Sequence, residues 1–218
     1  SYAWNEKTKL AKLSVQQTQK IDENVLLFHV TLPVRFKVNG ESFNQVLPIT
    51  KLSEDFYLPL PNAPKIIRID PDLTLLAKIN FTPPTTQIYA QLADDTDALG
   101  RQQAVELLAE RKDKTTIEKL KQVLQNDSFY GVRIAASQAL RRIATDAAFE
   151  TLSKSTQQPN AKVRSQVVSD IASQPKPNAL NDLKRILSIE KNPMIRARAI
   201  NGLAGHDDKQ ANKMIHQA

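Results

Sequence analysis

An arginine recurs in the second half of the sequence at almost constant spacing. Arg101, Arg133, Arg164 and Arg196 are separated by 32, 31 and 32 residues. Each follows a short cluster rich in Asp, Asn or Pro, and each precedes small and aliphatic residues at helical spacing. Self-similarity at a fixed period of about 20–50 residues is typical of solenoids, in which one supersecondary unit stacks on the next. The sequence therefore predicts an array of helical repeats.

The predicted array covers residues 87–218. Helices that contain the repeated arginines alternate with a second set, which we expect at residues 116–125, 147–156, 178–188 and 209–215. An Asp, Asn or Thr before these segments can serve as an N-cap. Because paired helices of this length cannot bury their apolar faces alone, about four pairs must stack to form one core. We expect a HEAT/armadillo-like α-solenoid, with a period slightly below the usual range of about 40–47 residues.

The repeated arginines have a structural and a functional interpretation. Arg133 lies six residues after Asp127 and near the start of its helix, where it could bond that Asp or an exposed carbonyl of the adjacent repeat. The alternative is a groove in which four arginines bind phosphate. We favour the structural interpretation, because one cation per repeat beside an Asp or Asn couples neighbouring repeats. The predicted ladder comprises Arg101, Arg133, Arg164, Arg196 and Asp127.

The ladder has an energetic consequence. Arg133→Ala should cost about 1–3 kcal/mol, because a charge-assisted hydrogen bond is broken while its partner stays buried. Arg141 is expected on the exposed part of the same helix, where truncation should cost less than about 0.5 kcal/mol.

The first 80 residues have the period of β-strands. Apolar residues alternate without a break from Leu26 to Val38, which places one face on a core and the other toward water. Asn39-Gly40 supplies the two positive-φ residues of a tight hairpin that returns through residues 43–49. Further strands are expected within residues 10–19, 56–58 and 66–69. Five to seven short antiparallel strands indicate a small β-sandwich at residues 1–80.

A Pro-rich segment separates the two halves. Pro71 can occupy the first turn of a short helix after the last strand. Pro83-Pro84 lies in a stiff connection over residues 81–86, where we place the domain boundary. The predicted fold is therefore an all-β domain followed by an all-α domain.

Composition excludes several classes of protein. No apolar run approaches the roughly 18 residues of a membrane span, and no signal peptide is expected at the start of the chain. The chain begins at Ser1 as a segment cut from a longer protein would. The absence of Cys excludes disulfides and thiolate metal sites without identifying the compartment. The net charge of +7 comes from interspersed charges with no run of five basic residues, so nucleic acid is not an expected partner.

Catalytic and metal-binding motifs are missing from the sequence. Its three His residues form no His-Glu-x-x-His pair, His29 is expected on the solvent face of a strand, and His206 is expected in a turn. With 5 Gly there is no phosphate-cradling loop and no Gly-x-Ser-x-Gly. Asp94-Asp95-Thr96-Asp97 lacks the closing Glu of an EF-hand and is explained by a helix N-terminus. We predict no catalytic residue, no metal ligand and no cofactor in this chain.

Four motifs of the β half, taken in order, resemble a known family. They are similar to the post-catalytic β-sandwich of zinc aminopeptidases of the aminopeptidase N type. In that family the sandwich follows a thermolysin-like catalytic domain and leads into a C-terminal helical domain, which is HEAT-like in some members. The motifs are Val15-Gln16-Gln17-Thr18-Gln19, Leu27 to Val34, Phe56-Tyr57-Leu58-Pro59-Leu60 and Ile69-Asp70-Pro71-Asp72.

This resemblance implies the non-catalytic C-terminal region of such an enzyme, or of a relative that has lost catalysis. The family's Gly-Ala-Met-Glu-Asn and His-Glu-x-x-His motifs and its downstream Glu ligand have no matching positions, so no catalytic residue is carried over. Zinc is then expected in a catalytic domain outside this chain, and that domain of the same parent chain is the expected partner. Two alternatives stay open: a protein-binding scaffold that holds a peptide or protein on its concave face, and a nucleic-acid-binding HEAT array.

Overall fold

The computed structural model describes residues 1–205, in which six strands precede eight helices. The strands are β1 (Tyr2–Asn5), β2 (Leu10–Gln16), β3 (Val30–Val38), β4 (Glu41–Ile49), β5 (Ser53–Pro59) and β6 (Ile66–Ile69). The helices are α1 (Thr85–Leu92), α2 (Ala98–Leu108), α3 (Lys114–Asn126), α4 (Tyr130–Ile143), α5 (Asp146–Lys154), α6 (Ala161–Ala172), α7 (Pro177–Ile189) and α8 (Pro193–Ala204). The predicted order of an all-β domain and an all-α domain is confirmed. The helix expected at residues 209–215 lies outside the described residues.

The strands form two small antiparallel sheets that share one core. One sheet has the order β1-β2-β5 and the other β4-β3-β6. Alternate residues of β3 point inward, and Val34, Phe36 and Val38 are almost fully buried. They pack with Ala11 and Leu13 of the facing sheet. The period of two in the sequence thus produces the expected sandwich.

The β3–β4 hairpin is the one that the sequence predicts. Asn39 has a φ of 52° and Gly40 a φ of 90°, so both residues adopt the left-handed conformation of a two-residue turn. Val38 pairs with Glu41 and Val30 with Ile49, which fixes the register over nine residues of each strand.

Strand β3 begins at Val30 and not at Leu26, where the apolar alternation starts. The backbone of Phe28 is paired with a side chain: the Gln17 Nε2 donates to the Phe28 carbonyl at 2.7 Å, and the Phe28 N–H donates to Gln17 Oε1 at 3.1 Å. The Gln17 amide therefore pairs with the backbone of the segment before β3, and the pairing of β3 with β4 begins only at Val30.

No helix begins at Pro71, although that residue is compatible with one; the next helix after β6 is α1. Leu73 has a φ of 54°, which a right-handed helix cannot contain. The Asp70 carboxylate instead accepts hydrogen bonds from the N–H groups of Thr74 and Leu75 at 2.9 Å. These bonds lower the pKa of Asp70 despite the opposing effect of burial. The segment is a tight turn closed by one carboxylate.

The chain divides into two compact units, Ser1–Ala104 and the residues from Val105 onward. The boundary predicted from the sequence lies earlier, at residues 81–86, where strands give way to helices. Two ion pairs join the connection between α1 and α2 to the strands. Lys37 of β3 pairs with Asp94, and the buried Arg68 of β6 pairs with Asp97.

Four of the described helices of the second unit begin at an Asp, Asn or Thr cap, whereas α4 and α7 begin without a side-chain cap. Asp113 accepts from the Thr116 N–H at 2.9 Å, and Thr145, Asn160 and Asn192 cap α5, α6 and α8 in the same way. The second helices of successive pairs pack on one another, α4 on α6 and α6 on α8. None of the helices within residues 1–205 is long and apolar enough to cross a membrane.

Candidate functional site

The four repeated arginines occupy the same position in their helices. Arg101, Arg133, Arg164 and Arg196 are each the fourth residue of α2, α4, α6 and α8. Each side chain therefore starts from the first helical turn, beside the turn that joins the two helices of its pair.

Three of these arginines donate to main-chain carbonyls in that turn or in the last turn of the preceding helix. Arg101 Nη1 bonds the Asp94 carbonyl at 2.8 Å, and Arg164 Nη1 bonds the Gln158 carbonyl at 2.9 Å. Arg196 Nη1 bonds the Leu187 carbonyl at 2.5 Å. The Leu187 carbonyl is one of the last four of α7, which lack intrahelical partners, whereas the Asp94 and Gln158 carbonyls lie in the connections between helices.

Arg164 also joins two repeats. Its Nε lies 2.7 Å from Glu190 Oε2, in the turn between α7 and α8 of the next repeat. The bond from Arg164 lowers the pKa of the Glu190 carboxyl. Glu190 Oε1 also accepts from the Asn192 N–H, so one carboxylate links the arginine to the start of α8.

Arg133 has the same helix position as the other three arginines but differs from them in its hydrogen bonding. Its Nε is buried without a hydrogen-bond partner. Asp127 Oδ1 accepts from the Phe129 N–H at 2.8 Å and so shapes the turn before α4. The energetic role of the whole ladder stays a prediction.

A buried carboxylate between α4 and α6 was not identified from the sequence. Asp170 of α6 is 1% exposed, and its Oδ2 accepts from Ser137 Oγ of α4 at 2.6 Å. Its Oδ1 lies 3.0 Å from Arg141 Nε and accepts from Gln166 at 3.0 Å. Burial outweighs these bonds and raises the pKa of Asp170. The sequence feature that could have revealed this carboxylate is an acidic residue between Val167 and Ile171, on the apolar face of a helix.

The Asp170 contact corrects the expectation for Arg141. Arg141 is exposed as predicted, with 43% of its side chain accessible, but its partner carboxylate is buried. Truncating Arg141 would leave that carboxylate without its counter-charge, so Arg141 is not a neutral control.

A groove of about 440 Å³ lies between α3 and α5. On α3 its lining residues follow positions i, i+3, i+4, i+7 and i+11, and on α5 they follow i, i+3, i+4 and i+7, so each helix presents one continuous face. These residues are Lys114, Ile117, Glu118, Lys121 and Gln125 of α3 and Ala147, Glu150, Thr151 and Lys154 of α5. Lys112 and Thr145 complete the lining.

An exposed apolar cluster lies at one end of the sandwich, around Gln17. We call Leu26, Phe28, Val30 and Leu52 the sandwich-end cluster; all four are exposed. Gln17 joins them, since its side chain bonds the Phe28 backbone and its N–H donates to the Leu52 carbonyl at 2.9 Å. Lys37, which pairs with Asp94, lies at the opposite end of β3.

The part of the chain that the structure describes contains no group of three His, Cys, Asp or Glu side chains that could hold a metal ion. His29 is exposed, as expected for the solvent face. The predicted turn at His206 lies outside the described residues.

Comparisons with known proteins agree with the fold. Residues 85–168 match the family model for HEAT repeats. No curated protein matches the chain significantly. A similar solved structure is the crystal structure of Legionella pneumophila aminopeptidase A in complex with aspartic acid, with a TM-score of 0.63 and 10% sequence identity. The similarity covers 97% of this chain and 32% of that chain, so this chain spans about a third of its neighbour. At this identity the likeness shows a common fold, a small β-sandwich followed by HEAT-like helical repeats.

Proposed function

We propose that this chain is the non-catalytic C-terminal region of a zinc metallo-aminopeptidase of the aminopeptidase N type. The observation that carries the proposal is the likeness to Legionella aminopeptidase A, which extends over 97% of this chain and hence over both halves. The ordered motifs of the β half support the same assignment. In this proposal the zinc and the catalytic residues belong to a separate catalytic domain, which this chain braces, while the repeats shape substrate access or assembly.

The sandwich-end cluster is the proposed contact surface for the bracing role. Contiguous exposed apolar side chains mark interaction sites more often than isolated ones do. About two thirds of the Legionella enzyme lies outside the region of common fold. We therefore assign the cluster to contact with the catalytic domain of the same protein.

The test uses the complete reading frame that contains this chain. A His-Glu-x-x-His encoded upstream of Ser1 is expected, and its absence would remove the aminopeptidase proposal. In the purified full-length protein, Phe28→Ser should accelerate thermal loss of aminopeptidase activity. Val46→Ser is the matched control, because Val46 is also exposed but lies on the outer face of β4. Equal inactivation rates for the two variants would argue against bracing through the cluster.

A second candidate function is a protein-binding HEAT scaffold. The match of residues 85–168 to HEAT repeats and the groove between α3 and α5 favour it. Repeat arrays of this kind present extended surfaces that bind other proteins. The two functions are compatible within one long chain.

A further inference from the structure

We propose that the groove between α3 and α5 binds an extended acidic segment of a partner protein. The proposal does not depend on the aminopeptidase assignment. Its basis is the charge arrangement along two helix faces that border one groove.

Lysines exceed glutamates in the lining of the groove. Two ion pairs lie within single helices, Lys121 with Glu118 at 3.2 Å and Lys154 with Glu150 at 2.6 Å. With Lys112 and Lys114 the lining contains four lysines against two glutamates. The unbalanced positive charge therefore lies at the N-terminal end of α3.

The start of α3 reinforces that charge. The first N–H groups of a helix carry a partial positive charge that favours anions. Asp113 offsets part of this positive charge at the cap, where its carboxylate accepts from the Thr116 N–H at 2.9 Å and from the Thr116 hydroxyl at 2.7 Å. Lys112 and Lys114 are exposed on either side of it, so the local charge balance stays positive.

The floor of the groove is neutral and suits small side chains. Ile117 and Thr151 are both only 7% exposed, and the methyl group of Ala147 lies on the α5 side. Lys114 and Lys121 are seven residues apart on α3, which corresponds to about 10 Å along the helix. Three residues of an extended chain cover about the same distance. The fitting segment thus has acidic residues three positions apart with small residues between them.

A peptide fits this groove better than a nucleic acid. Glu118 and Glu150 lie in the middle of the lining and would repel a continuous run of phosphates, whereas a peptide can place neutral residues opposite them. No aromatic residue lines the groove, so bases have no stacking platform there.

The test is fluorescence anisotropy with the full chain and a fluorescein-labelled peptide of repeated Glu-Ala-Ala units. The reference peptide has Gln in place of each Glu. Lys112→Glu combined with Lys114→Glu should weaken binding of the acidic peptide about tenfold or more at an ionic strength of about 0.15 M. Lys65→Glu combined with Lys191→Glu is the control, because it makes the same change of charge at two exposed lysines outside the groove.

A substitution that should increase the affinity for the acidic peptide provides an independent test. Glu150→Gln removes a negative charge from the groove and should tighten binding of the acidic peptide by about threefold. Equal weakening by the two lysine pairs would show attraction by net charge alone and overturn the proposal. The proposal is also overturned if the Gln peptide binds as well as the Glu peptide, if neither binds, or if a single-stranded oligonucleotide binds more tightly than the acidic peptide.

Discussion

Truncating Arg164 should destabilise the helical unit more than truncating Arg133. Arg164→Ala removes two bonds to Glu190 and one each to the Gln158 and Pro159 carbonyls. The Glu190 carboxylate, 10% exposed, then stays without its cation. A hydrogen bond to a charged group contributes about 1.5–3 kcal/mol, and breaking a fully buried ion pair costs about 3–5 kcal/mol. Because Arg164 is partly exposed, we expect a loss of about 2–4 kcal/mol.

Arg133→Ala should cost less than the roughly 1–3 kcal/mol expected from the sequence. Its Nε already lacks a partner in the folded protein, so truncation removes a buried unsatisfied donor together with packing contacts. We expect a loss of about 0–1 kcal/mol. Arg198, exposed on α8, replaces Arg141 as the control, with a change of less than about 0.5 kcal/mol.

The assay is urea unfolding followed by helical circular dichroism, with the free energy of unfolding taken from the transition of the helical unit. If the free energy of unfolding falls with urea concentration at the same slope in each variant, the substitutions have not changed the unfolded state. A double-mutant cycle of Arg164→Ala with Glu190→Gln isolates the pair and should give a coupling energy of about 1–3 kcal/mol. Equal costs for Arg164→Ala and Arg198→Ala would refute the predicted role of the Arg164–Glu190 pair, and so would a larger cost for Arg133→Ala than for Arg164→Ala.

Three further predictions concern pH, metal and nucleic acid. Burial raises the pKa of Asp170, so its contribution to stability is present below the ordinary Asp pKa of about 4 and is lost as pH rises through the raised folded-state pKa. Urea titrations should show Asp170→Asn gaining stability relative to the native chain as pH rises above about 4, and parallel curves would contradict this. After incubation with zinc and dialysis, elemental analysis should find less than one retained equivalent of zinc, and the chain should not hydrolyse aminoacyl substrates. One retained equivalent of zinc that is lost on substituting His206 would refute the prediction. Anisotropy should show DNA binding no tighter than about 10⁻⁴–10⁻⁶ M at physiological salt, and sub-micromolar, sequence-dependent binding would contradict it.

The two halves could be predicted because their patterns are local. Alternation along β3 and the Asn39-Gly40 turn depend on neighbouring residues, and so do the apolar period of α3 and the Asp113 cap. Such signals can be recognised in the sequence without knowledge of any tertiary contact. The start of β3 could not be predicted, because the partner of Phe28 is the side chain of Gln17, eleven residues earlier.

Helix α1 and strand β1 were not individually identified from the sequence. The buried face of α1 carries Gln87 and Gln91, whose amides donate to the Pro64 carbonyl at 2.9 Å and the Gly100 carbonyl at 2.7 Å. A helix that buries amides gives a weak apolar period. Strand β1 has only four residues and is recognised by its pairing with β2. The Ser137–Asp170 bond likewise depends on how two repeats stack, which the period of the arginines does not specify.

The arginine period is better explained by the turns than by a ligand. A guanidinium that binds phosphate must have free N–H groups facing an accessible groove. Arg101 is only 5% exposed, and Arg101, Arg164 and Arg196 each donate to a carbonyl in the turn before their helix or at the end of the preceding helix. These carbonyls recur at the interval of the helix pairs, and so do the arginines that bind them. The recurrence is thus consistent with closing the turns in three of the four repeats, and the groove between α3 and α5 contains none of the four arginines.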